Sequence, residues 1–189
     1  MNALTTGKPV WRRYEQLDRR AINPALQDLL FSGGSLTQAL GDRCAQKLQL
    51  QIMQEHWARP FAEERCWLGL ADGRYTFTRE IQLLCNKTPW LFARTLMPPQ
   101  ILRGRARRLL DIGERPLGSL LFSQPTVAQI RREQRDYACL QDGQYLYNHL
   151  QTLLPALTMP AGSCLWARRS SYRLYKFRLG IIEIFLPGL

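Results

Sequence analysis

A chain of 189 residues, 46% hydrophobic and 22% charged, can bury one sizeable core and is too apolar to be a disordered segment. Its 26 Lys+Arg against 15 Asp+Glu leave a formal charge of +11. That balance suits nucleic acid, an anionic membrane surface or an anionic small molecule, or simply a solvated arginine-rich surface. No apolar run is long enough to span a bilayer, and the residues before Arg13 lack the apolar stretch of a secretory signal, so the cytoplasm is the expected location.

Residues 12–31 carry a helical pattern that ends in Leu26, Leu29, Leu30 and Phe31. Within it Asn23-Pro24 is a helix start, with Asn as the cap and Pro at the first helical position. Ser32-Gly33-Gly34 breaks the helix. Ser35 then caps a second short helix through Leu36, Ala39 and Leu40, which Gly41 can end. Leu48, Leu50 and Ile52 alternate with glutamines as a half-buried strand. Tyr75, Phe77, Ile81 and Leu83 share one parity of the next strand, and Thr76, Thr78, Glu80 and Gln82 share the other. After a turn at Asn86-Lys87-Thr88 a third strand covers Trp90 to Met97, and the short link predicts an antiparallel hairpin. Pro98-Pro99 opens a basic helix to about Ile112, with Gly113 past its end. Residues 123–140 fit strand or helix. Residues 141–163 hold a short helical pattern (Leu146, Leu150, Leu153, Leu154) and a loop. Two strand-like runs, 164–177 and 181–186, split by Gly180, end the chain. Consecutive strands with helices at the start and middle predict α+β: an antiparallel sheet of about six strands, with helices packed over it, in a single domain.

The five cysteines (Cys44, Cys66, Cys85, Cys139 and Cys164) are odd in number and irregularly spaced, with no C-x-x-C pair. They read as reduced, structural thiols. His56 and His149 form no ligand-spaced pair, so no metal is expected. Phosphate-loop, dinucleotide and nucleophile-elbow motifs do not occur. The arginines at 103, 105, 107 and 108 fit the solvated face of an amphipathic helix, or else a phosphate or membrane patch. No aromatic-bearing RNA motif accompanies them. Two residues interrupt apolar strands. Arg94 shares a strand face with Trp90, Phe92 and Leu96. Glu183 lies in a run that is apolar on both faces, which predicts a central, buried strand. A buried carboxylate needs a partner, either a protein group such as Arg94 or a donor on a ligand.

The segments REIQLLC (79–85), PWLFARTLMP (89–98), GERPLGSLLF (113–122), LWARRS (165–170) and IEIFLP (182–187) resemble, in type and order, those of the chorismate pyruvate-lyase family. The N-terminal helical part, Leu26 to Leu40, is similar more loosely. The resemblance covers most of the chain. It implies elimination of pyruvate from chorismate to leave 4-hydroxybenzoate, the first committed step of ubiquinone ring synthesis, with no metal or organic cofactor. It implies that Arg94 binds the ring carboxylate and that Glu183 faces the ring hydroxyl. It also implies that backbone amides at Leu117 and Leu36 touch the carboxylate. The fold it implies is an antiparallel sheet with helices closing over a buried site, so the hairpin at residues 24–40 is a candidate lid hinged at Gly33-Gly34. Arg168-Arg169 matches the family motif, with a role in either structure or substrate charge. The chain looks longer than short members between Asp136 and Cys164, which predicts a surface elaboration around 136–163. A monomer is expected, with transient membrane or prenyltransferase contact and no nucleic acid. The competing expectation is a non-catalytic sensor of small aromatic acids with the same fold, as in the effector domains of some transcription regulators.

Overall fold

The hairpin expected after Thr76 is the spine of the sheet. Asn86 and Lys87 both adopt left-handed backbone conformations (φ 51° and 66°), the pair of positive φ values that a tight two-residue hairpin needs. Cys85 and Thr88 therefore face each other across it. In the computed structural model, which describes residues 7–102, 107, 110, 113–117, 131–157, 159, 162, 164–174 and 176–189, this hairpin joins β2 (Thr76–Cys85) to β3 (Thr88–Met97). Four further strands complete one antiparallel sheet: β1 (Gln49–Ala58), β4 (Arg131–Leu140), β5 (Leu165–Leu174) and β6 (Phe177–Phe185). The order is β1-β2-β3-β6-β5-β4, so β6 is central, as its two apolar faces required.

Helices cover both faces. On one lie α1 (Pro24–Leu30) and α2 (Leu36–Arg43), whose Leu29, Leu30, Leu36 and Leu40 pack on Leu83, Leu91 and Phe185. On the other lie α3 (Ala62–Leu68) and α4 (Tyr145–Leu153). From α4, Leu146, Tyr147 and Leu150 pack against Phe92, Ala167, Ile182 and Ile184. Each fully buried leucine contributes on the order of 2 kcal/mol, and truncating Leu150 to Ala would cost roughly 2–5 kcal/mol.

Several expectations need correction. The helix foreseen over 12–31 is two 3₁₀ turns, Tyr14–Gln16 and Arg19–Ala21, followed by α1. Pro24 disfavours a helical backbone at the residue before it, and Asn23 is accordingly extended, accepting the Ala25 N–H at 2.9 Å as the cap. Ser35 caps α2 by accepting the Gln38 N–H, but α2 runs through Gly41 to Arg43. Gly180 does not split two strands. The reversal falls between Leu174 and Phe177, and Gly180 sits inside β6 because a Cβ there would lie 2.5 Å from the Trp67 ring of α3. The segment 136–163 is not a surface elaboration: its start is β4 and its helix α4 is part of the core. Residues 99–102 form turns, and most of the basic helix foreseen to Ile112 lies outside the described residues.

The cysteines also differ from expectation. Cys44, at the end of α2, is bonded to Cys85 at the end of β2, and Cys139 of β4 is bonded to Cys164 ahead of β5, with Cα separations of 5.8 and 5.5 Å. Cys66 is free. Sequence spacing could not show these pairs, because strand order and helix packing bring them together. Among the described residues no helix is long and apolar enough to cross a membrane.

Candidate active site

Side chains alternate across a strand, and directly opposed residues on neighbouring strands share a face. The register pairs Glu183 of β6 with Ala93 of β3 and with Arg168 of β5. It also pairs Arg79 of β2 with Thr95, and Thr95 with Ile181. Arg79, Glu183 and Arg168 therefore lie on one face, the face under α1 and α2, where they line a cavity of about 70 Å³. One buried water needs about 10–15 Å³, so the space is small and set for a compact guest. Leu36 and Leu117, expected from sequence, border the same cavity, as do Gly34 and Thr37. Between the charged groups the walls are largely apolar, with Ile81, Leu91 and Ile181 among them.

Each charged group has an identifiable environment. Arg79 is buried and donates to Glu55 Oε1 (2.7 Å), Gly113 O (2.7 Å) and Arg115 O (3.3 Å). Burial pulls its pKa down, against the upward pull of Glu55. A guanidinium has five N–H donors, so these three bonds leave capacity for an anion in the cavity. Glu183 accepts from Arg168 Nε and, at 3.2 Å, from Arg168 Nη2. An ionised carboxylate offers about four acceptor sites, and these two bonds leave room for a hydroxyl donor. Burial opposes the charge of Arg168, but Glu183 outweighs it and raises the arginine's pKa. At the other wall lie Leu36 and Thr37, the first two residues of α2. Helix geometry leaves first-turn amides without intrahelical acceptors, and the dipole there favours an anion.

The structure does not bring Arg94 to this cavity. Its β6 partner is Ile182, not Glu183, so the arginine points to the opposite face. There Arg94 Nε and Nη2 grip both oxygens of Glu64 at 2.8 and 3.2 Å, and Nη1 donates to Glu80 Oε1 at 2.6 Å. Its guanidinium also lies 5.0 Å from the centre of the Phe61 ring. Burial opposes its charge, but Glu64 and Glu80 together raise its pKa. Glu80 in turn holds His149 Nε2 at 2.5 Å and is bonded by Gln54. Burial pushes the Glu80 carboxyl up, yet His149 and Arg94 win and draw it down to about 2. Every nitrogen of Arg94 is thus committed to a protein carboxylate, which is the opposite of an open anion site.

The family model for chorismate lyase matches residues 6–189. The chain belongs to the chorismate lyase family. A probable chorismate pyruvate-lyase of Methylococcus capsulatus is 31% identical over 87% of this chain and 96% of that protein. One from Halorhodospira halophila is 38% identical over 87% and 82%, respectively. A probable chorismate pyruvate-lyase 2 of Pseudomonas entomophila is 33% identical over 95% and 89%. Among solved structures, the effector domain of PhnF from Mycobacterium smegmatis superposes with a TM-score of 0.57 at 14% identity, over 83% of this chain and 91% of that one. The ligand-binding domain of a putative GntR-family regulator from Bordetella bronchiseptica gives 0.51 at 20% identity, over 75% and 83%. At such identities the likeness concerns the fold alone.

Of the residues expected from sequence, Glu183, Leu36 and Leu117 border this cavity and Arg94 lies on the opposite face; Arg79, which also borders it, was not among those expected. The signal for Arg79 was present. It is an arginine in step with Phe77, Ile81 and Leu83, the same kind of interruption that drew attention to Arg94. The motif pair Arg168-Arg169 splits between faces. Arg168 holds Glu183, while Arg169 pairs with Asp136 (3.0 Å) and Glu63 (2.8 Å) between the rings of Trp11 and Trp67.

Proposed function

We propose that this chain is a chorismate pyruvate-lyase, with Arg79 rather than Arg94 as the anchor of the ring carboxylate. The observation that carries the reading is the small, largely apolar cavity with Arg79 and the α2 N-terminus among its walls, and Glu183 with them. Arg79 and the amides of Leu36 and Thr37 take the carboxylate, and Leu117 closes the same wall. Glu183 accepts the ring hydroxyl, which fixes the orientation of the ring. In the reaction the bond from ring C3 to the enolpyruvyl oxygen breaks and C4 gives up its hydrogen. That hydrogen ends on the methylene carbon of the departing enolpyruvate, so pyruvate leaves and the ring becomes aromatic. Aromatisation supplies the driving force, and the protein contributes orientation and exclusion of water. The α1–α2 hairpin has to move for chorismate to enter so small a cavity, and lids of this kind often limit product release.

In this reading the product feeds ubiquinone synthesis and the enzyme works in the cytoplasm. Thiol alkylation at the moment of lysis checks the location. A reducing compartment leaves all five cysteines reactive, whereas closed pairs leave Cys66 alone. The activity is tested by incubating purified protein with chorismate and measuring 4-hydroxybenzoate and pyruvate. Equimolar products are expected, formed about 100-fold more slowly by Arg79→Ala at chorismate concentrations below KM. Saturable binding of 4-hydroxybenzoate without turnover would favour a sensor module instead. Glu183→Gln separates roles: a variant that binds normally but turns over slowly gives Glu183 a part in proton movement, and near-full turnover confines it to orientation.

A further inference from the structure

Three arginines from the sheet converge on the end of α1, where the lid turns back towards α2. Helices leave their last carbonyls without intrahelical donors; Arg168 takes those at the end of α1, and Arg135 and Arg132 take carbonyls of the turn that follows. Arg168 Nη1 donates to Leu29 O (3.0 Å), Leu30 O (3.3 Å) and Ser32 O (3.4 Å). Arg135 Nη1 donates to Ser32 O at 2.5 Å, and Arg132 Nη2 to Gly33 O at 3.1 Å. The carbonyl end of a helix carries partial negative charge, which favours this arrangement. The arginines oppose one another: burial first, then Arg168 and Arg132, lower the pKa of Arg135. Arg168 differs from the other two in one respect. Its remaining nitrogens, Nε and Nη2, are the ones that hold Glu183.

We propose that Arg168 is a positioning residue that makes the orientation of Glu183 conditional on closure of the α1–α2 lid, with Arg132 and Arg135 completing the clasp. One planar guanidinium spans the lid carbonyls and the site carboxylate, so the lid cannot lift without changing the partners that fix the Arg168 side chain. Glu183 is then held in place when the site is sealed and freed to shift when it opens. The inference rests on the lyase reading for its consequence in turnover, but the clasp itself can be tested without substrate.

The first measurement is amide hydrogen exchange on unliganded protein, comparing wild type with Arg135→Ala, which does not touch Glu183. Loss of a charge-assisted bond should speed exchange across residues 29–40 by about 10-fold while β2 and β3 are unchanged. Exchange that stays at the wild-type rate would overturn the clasp. The second is Arg168→Lys, which keeps a positive charge beside Glu183 but cannot span both partners. For it, kcat for chorismate should fall about 10-fold with KM within about 3-fold, since Arg79 still anchors the carboxylate. Wild-type kcat in this variant, or a loss confined to KM, would overturn the coupling. Failure of the wild-type protein to convert chorismate would sink the lyase reading, and exchange in Arg135→Ala would still decide the clasp.

Discussion

Each face of the sheet carries a buried arginine beside a glutamate, and the two pairs are built differently. Under α3 and α4, all three nitrogens of Arg94 meet the carboxylates of Glu64 and Glu80, so its charge is already answered twice, and Glu80 is further bonded by His149 and Gln54. Under α1 and α2, Glu183 has Arg168 on one side and a cavity on the other, with Arg79 in the wall of that cavity. A buried ion pair interrupting an apolar strand is thus no marker of a ligand site by itself. What separates the faces is the number of carboxylates on the arginine, two on Arg94 and one on Arg79, and the cavity beside Arg79. The closed network holds α3, through Glu64, against strands β2 and β3. The open one borders a cavity.

The comparison breaks most plainly if Arg94 proves to belong to the site. Arg94→Ala leaves two buried glutamates without their shared cation, a loss of roughly 3–5 kcal/mol. The thermal midpoint should fall by about 10 °C, with kcat/KM per folded molecule within about 3-fold of wild type at a temperature where the variant is folded. A near-normal melt with abolished turnover would reverse the assignment of the faces. Arg79→Ala should do the opposite. Steady-state kinetics should show kcat/KM for chorismate lower by about 100-fold, or about 2.7 kcal/mol, carried mostly by KM, with a smaller change in the melt. Equal losses of stability in the two variants would erase the distinction.

Gly180→Ala sharpens how tightly the Arg94 face is packed. The added methyl meets the Trp67 ring at 2.5 Å and the Leu68 side chain at 3.0 Å. A loss of roughly 1–3 kcal/mol in denaturant unfolding is expected, and a neutral result would mean that α3 shifts freely. The smallest effect near neutral pH concerns Glu80. Its folded pKa of about 2 lies below the ordinary 4.5. Its contribution is therefore fully present above about pH 4.5 and is lost as the pH falls towards 2. Unfolding midpoints taken down through this range should fall for the wild type and fall less steeply for Glu80→Gln. An identical slope would remove Glu80 as the acid-sensitive group of the network.

Much of the fold was legible because its signals are local. The Asn23 and Ser35 caps, the hairpin around Asn86-Lys87 and the central position of β6 each depend on neighbours in the chain or on the parity of one strand. Helix α3 was missed because seven residues, AEERCWL, show too little periodicity to stand out. Its Glu64 was missed with it, and without Glu64 the partner in view for Arg94 was Glu183, which lies on the other face. The cysteine pairs were missed for a related reason. Cys44 and Cys85 are 41 residues apart in sequence, and only the seating of α2 against β2 makes them neighbours.

By itself the sequence determined the family, the antiparallel α+β architecture, and Glu183 as a carboxylate that had to be answered. Motif order and strand alternation are written along the chain and need no knowledge of what lies beside it. The tertiary structure alone decided which arginine faces Glu183. Alternation assigns a residue to one of two faces of its own strand, but only the register between strands says which faces are the same. The pairing of Ala93 with Glu183 puts Arg94 on the far side of the sheet, and the pairing of Arg79 with Thr95 puts Arg79 on the near side. A shift of one residue would exchange them.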